Sequence, residues 1–176
     1  MKFFHRYSST IHGNYRRAYL RSGLLTGGLM FFYVLMRHLL GIPAPAPESY
    51  ATDGILLAAV FLLTMLYRNS LEGKRATLKE LMLFGMGTAL VASVLYGLLL
   101  WALGLASPAQ AALFTTTVTG NETLPGDPQI HYWAAWWGIF AALKLLLIGC
   151  FGAFIAAVFF RNEKAPTRSE LKNSNP

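Results

Sequence analysis

Thiol chemistry is almost absent from this chain. Cys150 is its one cysteine, so no disulfide can close within it, and no Cys/His cluster has the spacing of a metal site. Charge is scarce as well: 13% of the residues are Asp, Glu, Lys or Arg against 55% hydrophobic, too apolar a balance for an ordinary soluble domain. The sequence also lacks a nucleophile–base pair and a phosphate-binding glycine loop. Its four histidines, His5, His12, His38 and His131, fall at both ends of the apolar runs and cannot form one site. No catalytic residue, cofactor or metal ligand is therefore expected, and the chain is not expected to be an enzyme.

The most informative absence is that of positive charge. Four apolar runs divide the chain: Ser22–Ile42, about 51–67, Leu81–Leu105 and Trp133–Phe160. The leader carries Lys2, Arg6, Arg16, Arg17 and Arg21, the middle connection Arg68, Lys74, Arg75 and Lys79, and the tail Arg161, Lys164, Arg168 and Lys172. The other two connections, Pro43–Thr52 and Ala106–Tyr132, contain no Lys or Arg. Lysine and arginine flanking a span stay on the cytoplasmic side, so this alternation predicts four helices threaded with both ends inside. The expected architecture is an all-α, integral membrane bundle of four transmembrane helices in the bacterial cytoplasmic (inner) membrane. A basic leader (1–21) precedes the transmembrane domain (22–161), and a polar tail (162–176) follows it. The formal charge of +7 does not point to nucleic acid, because every Lys and Arg except Arg37 and Lys144 lies on the predicted cytoplasmic side, facing anionic lipid. Ala44-Pro45-Ala46 after the first run mimics a cleavage site. The long leader, the Arg37–His38 interruption and Pro47 favour a retained anchor.

Small residues recur at helical spacing. Gly23 and Gly27 share a face of the first span. Gly85, Ala89, Ser93 and Gly97 recur every four residues along the third, and Gly149 and Ala153 (with Ala157) mark the fourth. In lipid, helices associate through close backbone approach, so these faces read as packing seams, with a pore-lining groove as the alternative for the third. Thr77-Leu78-Lys79-Glu80 before the third run is a capping-box pattern that starts a helix. The second run is short, and the prolines at 43, 45 and 47 exclude a helix between the first two spans. Trp101 and the group Tyr132, Trp133, Trp136 and Trp137 belong at the outer interface. Thr115–Thr119 can form a short strand in the longest connection.

Ionisable residues at membrane depth are functional candidates by default. Lys144 lies seven residues beyond Trp137, and Arg37, with His38 beside it, near the outer end of the first span. No Asp or Glu occurs in the first, third or fourth span, which disfavours a cation pump; Asp53 stands at the outer edge of the second. Arg37 and Lys144 can meet an anion, pair with Asp53 or Glu48, or snorkel to the interface, and the sequence leaves these open.

The whole chain resembles the bacterial domain of unknown function 4199 family of small four-span membrane proteins. The likeness rests on the basic leader before a first span bearing Gly23 and Gly27. It rests also on the block from Tyr67-Arg68 to Leu90 (with Gly73, the Thr77–Glu80 helix start and Gly85) and on the short basic tail. One departure is the connection between spans three and four, rich here in Thr, Gly and Pro where that family commonly has a charged helical stretch. The resemblance implies an integral inner-membrane protein and carries over no site residues. The leading expectation is a non-enzymatic structural or accessory component, in contact with membrane lipids, assembling through its small-residue faces with itself or a larger complex. The alternative is a small transporter or channel for an anionic or lipid-like solute that uses Arg37 and Lys144.

Overall fold

The structure, a computed structural model, describes residues 15–40, 49–71, 77–107, 109, 112 and 129–161. Most of the leader, the proline connection, the segment around Thr115–Thr119 and the tail beyond Arg161 lie outside the described residues. Four helices account for nearly all of the remainder: α1 Tyr15–Leu39, α2 Ser49–Ser70, α3 Leu78–Ala106 and α4 Ile130–Phe160. All four are long and apolar enough to cross a membrane. Helices are the expected solution there, because each satisfies its own backbone donors and acceptors where no water can.

The helix bounds extend the apolar runs in both directions. α1 begins seven residues before Ser22, so Tyr15–Arg21 of the basic leader is a continuous part of the first span's helix. α2, short by composition alone, has 22 residues, about 33 Å at 1.5 Å per residue, enough to cross. α3 starts where the capping box places it: the Thr77 hydroxyl accepts from the Glu80 N–H at 3.3 Å, and the Glu80 carboxylate accepts from the Thr77 N–H at 3.2 Å. It stops at Ser107, whose N–H donates to the Leu103 carbonyl, one residue before Pro108.

The packing register shows how the helices run. Tyr19, Gly23 and Gly27 of α1 meet Gly87, Val91 and Ala92 of α3 in the same order, so these two are parallel. Gly85, Ala89, Gly97 and Gly104 of α3 meet Ala153, Gly149, Gly138 and Ala134 of α4 in reverse order, so that pair is antiparallel. Leu56, Leu57 and Phe61 of α2 meet Gly149, Gly152 and Phe160 of α4 in step, and α2 runs parallel to α4. The bundle is therefore up-down-up-down, and its basic end carries Arg17, Arg21, Arg68, Lys79 and Arg161.

The α3 seam predicted from Gly85, Ala89, Ser93 and Gly97 is covered within the chain by α4. A methyl added at Gly97 would stand 2.7 Å from the Gly138 carbonyl oxygen and 2.8 Å from the Ala142 Cβ, so the backbones approach as closely as glycine allows. All four seam residues are buried in the single chain, as are Gly23, Gly27, Gly149 and Ala153. Met30 of α1, Leu56 and Val60 of α2, Ala89 and Leu100 of α3, and Leu145 and Ala153 of α4 fill one interior cluster. A second cluster at the basic end joins Ala18, Tyr67, Leu81, Phe84 and Ala157, with the Tyr67 and Phe84 rings stacked at 4.2 Å. The outward faces are largely apolar between the helix ends, Leu25, Leu29, Leu62, Leu98 and Phe154 among them, with Lys144 the exception on α4. That inversion of a soluble surface suits a hydrocarbon solvent.

Candidate functional site

Lys144 and Asp53 meet. The Lys144 ammonium donates to Asp53 Oδ2 at 2.9 Å, joining the middle of α4 to the second turn of α2. Asp53 is the fifth residue of its helix, just past the turn whose free N–H groups favour a carboxylate. The parallel register of α2 on α4 brings the two together: Leu56 and Leu57 seat over Gly149 and Gly152, and Asp53, one turn earlier, falls beside Lys144.

The pair is asymmetric. The Asp53 side chain is 14% exposed and that of Lys144 42%. Asp53 Oδ1 points into the packed bundle and has no hydrogen-bond partner, so the carboxylate depends on Lys144 for its compensation. An ammonium has three donors and only one goes to Asp53, which leaves the exposed side of Lys144 able to donate outward. Net charge at the pair is zero, and that neutrality is what makes it tolerable in hydrocarbon.

Arg37 follows another course. Its guanidinium lies 5.8 Å from the centroid of the Tyr33 ring, one turn back on α1, in a cation–π contact. His38 also has contacts of its own. Of the three candidate ionisable residues Arg37, Lys144 and Asp53, the last two are joined and Arg37 is engaged on its own helix. Among the described residues no three of His, Cys, Asp and Glu stand close enough to hold a metal ion. Cys150 is a half-buried free thiol.

The interior also holds buried hydroxyls, of which the sequence pattern marks only Ser93, as a packing residue. Thr26 donates to the Ser22 carbonyl at 2.9 Å and Ser70 to the Tyr67 carbonyl at 2.6 Å, the usual recourse for a hydroxyl on a helix. Thr64, Thr88 and Ser93 are buried with their hydroxyl oxygens unpartnered. Sequence reading likewise omitted Gly138 and Gly152. Gly138 and Ala142 form a small pair at helical spacing, the same signal that marked Gly85 and Ala89, and Gly152 adjoins the marked Ala153. No family model, curated protein or solved structure matches this chain.

Proposed function

We propose that this chain is a non-enzymatic structural or accessory component of the bacterial inner membrane, with four spans and both termini in the cytoplasm. The observation that carries the reading is how the small residues are used. Gly23, Gly27, Gly85, Ala89, Ser93, Gly97, Gly149 and Ala153 close the bundle on itself, and side chains from all four helices fill its interior. Such packing suits a rigid membrane element better than a conduit. Its associations with other chains would use the large apolar outer faces instead of the small-residue seams, which are already occupied. Lys144 engaged by Asp53, and Arg37 stacked on Tyr33, weigh against two cations jointly holding a transported anion. The basic end, with Arg17, Arg21, Arg68, Lys79 and Arg161, takes the cytoplasmic side by the charge rule. The same reading accommodates the likeness to the domain of unknown function 4199 family.

Two measurements test it. In a Cys150→Ser background, single cysteines at Lys79 and Arg161 should react with an impermeant maleimide only after the membrane is opened, and one at Tyr132 in intact cells. Reversed labelling would overturn the orientation. Purification from native membranes in mild detergent should retain a stoichiometric partner. Solute flux through liposomes holding the pure protein, abolished by Lys144→Met, would overturn the accessory reading in favour of transport.

A further inference from the structure

The Asp53–Lys144 pair stands at the foot of an aromatic ladder. Tyr132, Trp136, Phe140 and Lys144 recur every four residues and so share one side of α4. The rings step along it with centroids 6.0 Å apart from Tyr132 to Trp136 and 5.5 Å from Trp136 to Phe140. Tyr132 and Phe140 on this side are each more than half exposed and the Lys144 side chain 42%, while Trp136 between the two rings is half-buried with part of its ring accessible. Beyond Lys144, toward the basic end, come Leu147 and Phe151, 74% and 66% exposed.

Helical side chains lean toward the helix N-terminus, so the Lys144 stem rises toward Phe140 and the end opposite the basic one. Its ammonium thereby comes within about two helical turns of the Trp136 ring, which belongs at the headgroup layer. From that end inward the order of chemistry is π-faces, a cation with spare donors, and bare hydrocarbon. A lone anion here would face the Asp53 carboxylate across the same lysine, and a lone cation would face the ammonium. A zwitterion meets neither penalty, since its anionic group can take the Lys144 donors while its cationic group lies over the rings.

We propose that this side of α4 is a binding site for a zwitterionic phospholipid of the outer leaflet. Its phosphate sits on the Lys144 ammonium, its headgroup ammonium reaches up to the Trp136 ring, and its acyl chains run along Leu147 and Phe151. Asp53 is the positioning residue that holds Lys144 and keeps the site neutral. The proposal rests on the membrane-spanning orientation given above and is independent of the accessory role.

Native mass spectrometry of the full chain in mild detergent tests it. The probes are phosphatidylethanolamine, phosphatidylcholine and phosphatidylglycerol with identical acyl chains, offered in equal amounts. The wild type should retain either zwitterionic lipid about fivefold over phosphatidylglycerol, the scale of one cation–π contact. Lys144→Gln should lower that retention about fivefold. Trp136→Leu, at a half-buried position whose ring meets Tyr132 and Phe140, should abolish the preference while unfolding stays cooperative, and it decides the matter if Lys144→Gln does not fold. Equal retention of the three lipids by the wild type, a preference for phosphatidylglycerol, or a preference that survives Trp136→Leu would overturn the site. Maleimide labelling at 79 and 132 reports the orientation separately, so failure of the lipid site is distinguishable from failure of the topology.

Discussion

Replacing glycine by alanine separates two effects on a helix, and this bundle offers positions where only one operates. Alanine in place of glycine reduces the freedom of the unfolded chain and stabilises a helix by about 0.5–1 kcal/mol. At Gly54 a new methyl meets nothing within 4 Å, so that gain should appear undiminished. At Gly97 the same methyl stands 2.7 Å from the Gly138 carbonyl oxygen, and backbone cannot swing aside as a side chain can. α3 and α4 must part locally, an overpacking cost of about 1–3 kcal/mol. The propensity gain is common to both sites and cancels in their difference, so Gly97→Ala should lie about 1–3 kcal/mol below Gly54→Ala. Equilibrium unfolding in mixed micelles of rising dodecyl sulfate fraction measures this, followed by the fluorescence of the four tryptophans, all of them on α3 and α4. Gly138→Ala strains the same contact from the other side, its methyl 2.5 Å from the Gly97 carbonyl oxygen. The double variant should therefore cost less than the sum of the singles, because helices already parted admit the second methyl. If Gly97→Ala proved as stable as Gly54→Ala, the close α3–α4 approach would be wrong.

The ion pair should behave as a unit. Lys144→Met strands the buried Asp53 carboxylate and should cost more than Asp53→Asn/Lys144→Met, by an amount between the roughly 0–1 kcal/mol of exposed pairs and the roughly 3–5 kcal/mol of buried ones. A double-mutant cycle in the same micelles measures it. Thr77→Ala removes one arm of the capping box and should destabilise by about 0.5–2 kcal/mol; Glu80→Ala added to it should cost little more, because each arm supports the other. Unfolding midpoints of the two singles and the double decide this. Leu56→Ala, at a fully buried position, should cost about 2–5 kcal/mol. Leu147→Ala, at a position three-quarters exposed, should leave the midpoint within about 0.5 kcal/mol.

Much of this architecture is legible in the chain because a membrane narrows the choices. Hydropathy finds four helices, and the recurrence at Gly85, Ala89, Ser93 and Gly97 identifies the face of α3 that packs. What the recurrence does not name is its partner. A small-residue face reads the same whether it meets another helix of its own chain or a second copy, and only the register against Gly138, Ala142, Gly149 and Ala153 shows that α4 fills it. Lys144 was conspicuous for the same reason that every intramembrane charge is. Its pairing with Asp53 was one of several options, because the pair joins residues 91 positions apart through the seating of α2 on α4. Helix ends were least legible: the basic, polar residues 15–21 do not look like span, yet a helix continues through them as long as its backbone bonds are made.

The seating of α2 explains why an ion pair stands where hydrocarbon would pack more cheaply. α2 docks by large side chains into small ones, Leu56 over Gly149 and Leu57 over Gly152. The α4 sequence around them, Gly149, Gly152, Ala153, Ala156 and Ala157, offers small residues over more than two turns. Leucines moved one turn toward the basic end would again face small residues, Ala153 and Ala156, so apolar packing discriminates weakly against that register. The charges discriminate strongly. A slip of one turn toward the basic end, about 5.4 Å, carries Asp53 opposite Ile148 and leaves a carboxylate and an ammonium both unpaired in an apolar setting. Asp53→Asn/Lys144→Met should accordingly keep most of its stability and lose its single register. Cysteines replacing Phe61 and Phe160, whose rings lie 5.0 Å apart, should join through a short bismaleimide nearly completely with the pair intact. They should join only in part when both charges are removed, in a Cys150→Ser background throughout. Undiminished cross-linking in the neutral double variant would mean that packing alone sets the register.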